Sequence, residues 1–162
     1  MSPIAETDLT DRLCAALRQG GGNVFAGGYT GWVRFMFNRG GHRQSRRLWY
    51  AHGWGGGGSV TINTIQAANR MPMMVDDTDI ILTGHVHEAW VAEKVRTSLN
   101  DAGRIKNRTL YVVQTPTYKN DYGTGAGGWH VQTGKPPKPL GAWWLRWTWA
   151  DDVPMPEFTR AV

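Results

Sequence analysis

DTDIILTGHVHE, residues 77–88, is the stretch on which the reading of this chain turns. Asp79-Ile80-Ile81-Leu82-Thr83 has the length and apolarity of a short buried strand. It runs straight into Gly84-His85-Val86-His87. In an extended chain, residues two apart point to the same side. His85 and His87 are therefore expected to converge, with Gly84 permitting a sharp bend. Neutral imidazole is a frequent metal ligand, so the spacing suits one metal held by both rings or two adjacent metals with one ring each. Asp79 and Glu88 flank the pair, and either can orient a histidine from behind or serve as a turn cap.

A related pattern lies upstream in YAHGWGGGGS, residues 50–59. Leu48 to His52 reads as a strand that also ends in histidine followed by glycine. Residues 60–75 resemble a helix, with Val60, Ile62, Ile65, Ala68 and Met71 available for packing and Pro72 near its end. A strand, a helical crossover and a second strand would bring His52 beside His85, because open sheets bind ligands just beyond their strand C-termini. Gly55, Gly56 and Gly57 form either a flexible turn or a loop whose backbone N–H groups approach a phosphate or other anion.

Around this centre the pattern is α+β in one domain spanning residues 1–162. Residues 8–19 read as a helix with Leu9, Leu13, Ala16 and Leu17 on one face. Gly31 to Arg39 alternates like a strand and pairs with 48–52 across a basic loop, residues 40–47. Further strands are expected at 90–98, 109–114, 129–132 and 142–149, giving mostly antiparallel strands and two short helices. The single cysteine, Cys14, excludes an internal disulfide and is expected inside the first helix. No apolar run reaches the roughly 18 residues of a membrane span, and no apolar leader is visible, so a cytoplasmic protein without a membrane partner is expected. The net charge of +5 permits a phosphate-bearing partner without demanding one. Arg43, Arg46 and Arg47 near Trp49 suit phosphate contact with base stacking, or a solvated hairpin tip.

Together, His52-Gly53 with the following glycines and Gly84-His85-Val86-His87 after an apolar strand resemble the calcineurin-like metallophosphoesterases. The wider sequence, from Gly27-Gly28-Tyr29-Thr30-Gly31-Trp32 to Gly141-Ala142-Trp143-Trp144-Leu145, looks like phage- or prophage-type members. The resemblance implies the C-terminal part of an αββα sandwich. It implies a binuclear centre of divalent ions (Mn, Zn, Fe, Ni or Mg) that hydrolyses phosphomonoesters or phosphodiesters, with His52 and His85 on one metal and His87 on the other. The family's earlier Asp-x-His, Gly-Asp-x-x-Asp and Gly-Asn-His blocks do not occur in this sequence. Three histidines make a poor binuclear site, because hard cations need oxygen ligands and a bridging carboxylate. No catalytic residue is therefore assigned.

Activity is expected to need a second polypeptide that supplies the missing half, or self-association through an exposed apolar face. The alternative is a non-catalytic, basic, Trp-rich module that binds nucleic acid or serves a structural role.

Overall fold

Gly40 and Gly41 both have positive φ, 55° and 80°. They form the two-residue turn that this backbone allows most readily. The computed structural model, which describes residues 9–54, 68–123 and 128–162, places β1 (Thr30–Arg39) and β2 (His42–Ala51) on either side of that turn. The basic stretch read as a loop thus belongs largely to a strand, in register from Arg39↔His42 to Thr30↔Ala51.

The order along the chain is α1 (Leu9–Gln19), β1, β2, a helix α2 described over 68–74, β3 (Ile80–Thr83), β4 (Trp90–Leu99), β5 (Ile105–Gln114), a four-residue α3 (Trp129–Gln132), β6 (Ala142–Ala150) and β7 (Val153–Ala161). The class is α+β. Five strands form one sheet in the order β1-β2-β3-β5-β4. Its outer pairs are antiparallel, while β2, β3 and β5 run parallel at its centre. The remaining pair, β6 and β7, is an antiparallel hairpin.

Two elements differ from expectation. Residues 129–132 form a helical turn and not a strand. β7 runs against the sequence pattern, because Pro154 and Pro156 argue against a strand. Its register explains them. Asp151 and Asp152 (φ 46° and 61°) make a two-residue turn, so Ala150 and Val153 flank it. In such a hairpin the flanking residues exchange hydrogen bonds, so positions 154 and 156 point their amide sites away from β6. Proline there forfeits no ladder bond.

Both faces of the five-stranded sheet are covered at the centre. On one, Trp49, Ala51, Ile81, Leu110 and Val112 pack with Met71 and Val75 from the end of α2. On the other, Leu48, Ile80, Tyr111 and Val113 meet Trp143, Leu145, Trp147 and Phe158 of the β6–β7 hairpin. Burial on both faces is why β3 is a continuous apolar run. The hairpin's alternating tryptophans are used in packing, with Trp147 against Phe35 and Phe37 at ring separations of 5.1 and 5.0 Å. In α1, Cys14 is buried as expected, but Leu13 and Leu17 face outward.

Ile81 is fully buried. Ile81→Ala should lower the unfolding free energy by about 2–5 kcal/mol, read from urea denaturation. Burial raises the Tyr111 phenol above its ordinary value near 10; Glu93 adds to this and Arg46 opposes it. The folded state thus holds this proton more tightly than the unfolded chain does. The resulting stability is fully present below the unfolded pKa and is lost as pH rises through the folded value. Tyr111→Phe should flatten that alkaline loss in thermal melts taken above about pH 10.

Candidate metal half-site

β2 and β3 are parallel neighbours with Ala51 level with Thr83. Both strands therefore end at the same height, and both histidine segments emerge together. The Gly84 N–H donates to His52 O at 3.1 Å. Gly53 has φ 93°, and a Cβ on it would fall 2.7 Å from Gly84 O. A Cβ on Gly84 would meet His52 O at 3.1 Å. Glycine at these positions lets the two backbones touch.

The chain then turns sharply. The Val86 N–H donates to Gly84 O at 2.9 Å across His85, whose φ is 68°. This is a γ-turn in the left-handed region, an uncommon backbone state for a residue with a side chain. It aims the His85 ring at His52: Nδ1 of His85 lies 3.3 Å from Nε2 of His52, with ring centroids 5.3 Å apart. Both rings are exposed to solvent. Tyr29 stands edge-on to His52 at 5.4 Å and accepts its backbone N–H at 2.7 Å.

A residue not singled out from sequence holds this turn. Gln114 ends β5, is 2% exposed, and donates from Nε2 to Gly84 O at 2.6 Å. Its Oε1 accepts the Thr83 hydroxyl at 2.9 Å, and its backbone oxygen accepts Trp143 Nε1 at 2.9 Å. One buried amide thus links β3, β5 and the γ-turn, while Thr115 adds a hydroxyl bond to Thr83 O at 3.1 Å. The only signal in the sequence is a polar residue closing an apolar strand. Its importance emerges once β5 lies beside β3.

The other expected site residues fall differently. His87 also has a left-handed backbone, φ 57°. Alternation holds only for extended chain, so the argument that put His85 and His87 on one side does not apply. Among the described residues, no group of three or more His, Cys, Asp or Glu is placed to hold a metal. Asp79 does not support a histidine: it sits at the opposite end of β3, where its carboxylate accepts the Arg47 N–H at 2.8 Å. There it lines a cavity of about 300 Å³ with Arg46, Arg108 and Tyr111. Glu88 pairs with Lys138, both largely buried. Gly55, Gly56 and Gly57 lie outside the described residues.

Gly53→Ala would put a side chain on a left-handed backbone and against Gly84 O. It should cost on the order of 1–3 kcal/mol and separate the two histidines. A thermal melt, with the His52 and His85 ring signals followed by NMR, checks both effects. Compared with known proteins, the chain matches no family model, no curated protein and no solved structure.

Proposed function

We propose that this chain is the histidine-bearing half of a metal-dependent phosphoesterase. In this reading the chain corresponds to the C-terminal portion of an αββα sandwich. Packing of the α2 end on one face of the five-stranded sheet and of the β6–β7 hairpin on the other supports this reading.

One observation carries the reading, the 3.3 Å separation of His52 Nε2 and His85 Nδ1. Two nitrogens each about 2.0–2.1 Å from one tetrahedral ion stand about 3.3–3.4 Å apart. The separation matches the bite of two ligands to a single cation, and the His85 side of the pair stands on a turn with φ 68°. The residues fit one zinc-like ion in part, with two nitrogens and open positions. His87 lies two residues further on and would serve a neighbouring ion. Such ions supply Lewis acidity and lower the pKa of bound water. The oxygen ligands that a complete centre needs would come from a second polypeptide. No membrane role is part of this reading, and among the described residues no helix is long and apolar enough to cross a bilayer.

Zinc and manganese titrations by calorimetry test the proposal. The native chain should bind one Zn²⁺ per chain. His52→Ala and His85→Ala should each weaken binding about tenfold or more. Unchanged affinity in both variants would sink the reading. Turnover of a generic phosphodiester by the chain alone should be weak, because two histidines leave the ion without the carboxylates of a working centre.

A further inference from the structure

The β1–β2 ladder sorts its arginines onto two faces. Arg46 turns toward the hairpin, where its Nε donates to Pro154 O at 2.9 Å. Trp49 is buried beneath the end of α2 and has no free ring face. The combination of Arg43, Arg46, Arg47 and Trp49 suggested by sequence is therefore divided.

A different set occupies the helix-side face. Directly opposed residues in an antiparallel pair share a face, and here the pairs are Trp32↔Trp49, Arg34↔Arg47, Met36↔Ser45 and Asn38↔Arg43. On β1 this face carries exposed side chains: Trp32 is 52% and Met36 55% exposed. Arg34 stands directly across from Arg47, a like-charge pair that weakens a ladder. Arg47 is relieved by an ion pair with Asp77, which also binds Arg108. Arg34 and Arg43 make no ion pair or side-chain hydrogen bond among the described residues. Positions two apart on a strand are spaced by about 6.5–7 Å. An exposed indole thus stands next to an unpaired guanidinium, with a second guanidinium further along the same face.

We propose that this face binds single-stranded nucleic acid, with Trp32 stacking on a base and Arg34 and Arg43 contacting backbone phosphates. An exposed ring needs an unstacked base, and guanidinium forks match phosphate oxygens. An anion also removes the repulsion between Arg34 and Arg47. The proposal does not rest on the histidine pair, which lies beyond the strand ends and uses no residue of this face.

The test is fluorescence anisotropy with a labelled oligothymidylate of about 15 nucleotides. Chelator is present throughout, so that loss of metal cannot mimic loss of this surface. Salt is varied from about 50 to 200 mM. Arg34→Gln with Arg43→Gln should weaken binding about tenfold or more and reduce the log–log salt slope by roughly 0.7 for each phosphate left without its arginine. Trp32→Ala should weaken binding at least about fivefold without changing the slope, and Trp32→Phe should restore most of it. Arg12→Gln with Arg146→Gln removes the same formal charge elsewhere and should leave affinity within about twofold. Equal losses in that control would overturn the proposal in favour of diffuse charge. So would duplex DNA or polyglutamate binding as tightly as the single strand.

Discussion

The parallel pairing of β2 with β3 is the constraint on which the rest depends. Setting Ala51 level with Thr83 brings two histidine segments to one edge. It also forces their backbones into contact, where Gly53 and Gly84 leave room. A slip of one residue in that register would reverse the faces of β3 and separate the rings. The register is held at both ends. Asp79 receives the Arg47 N–H below, and Gln114 holds Gly84 above. A carboxylate that the sequence offers as a histidine's support is in fact an anchor for the strand's other end.

The site and the fold share their cost. The γ-turn at His85 strains the backbone, and the buried Gln114 amide must find partners in an apolar core. Each answers the other. Gly84 O, which accepts the Val86 N–H across the turn, also accepts the Gln114 amide N–H. Loss of that acceptor would leave the buried Gln114 Nε2 without this bond, the more costly outcome. This coupling supports the turn that sets His85 Nδ1 3.3 Å from His52 Nε2.

The two sheet faces serve different ends. The hairpin face is occupied by aromatic packing, and Trp143 and Trp147 of β6 are used there. Among the described residues, the opposite face is covered at its centre by Met71 and Val75, and Trp32, Arg34 and Met36 of β1 are exposed. Nine tryptophans in 162 residues suggest stacking surfaces everywhere. Alternation along the strands turns Trp49, Trp143 and Trp147 into the core and leaves Trp144, and Trp32 beside unpaired charge, exposed.

Much was legible from residue pattern alone. Apolar runs, alternation and glycine turns located α1, β1, β3 and the C-terminal tryptophan strand, and the shared His-Gly and Gly-His endings singled out His52 and His85. These signals are local, and local backbone preference expresses them directly. Tertiary structure decided the rest. It made a strand of the proline-bearing 153–161 segment, because the turn register aims both prolines at a free edge. It turned His85 out of extended geometry and set its ring beside His52. It moved Asp79 away from the histidines, gave Glu88 to Lys138 and brought in Gln114. Sequence spacing prescribes which side chains share a face only while the chain stays extended. Once it turns, contacts between strands distant in sequence set the geometry.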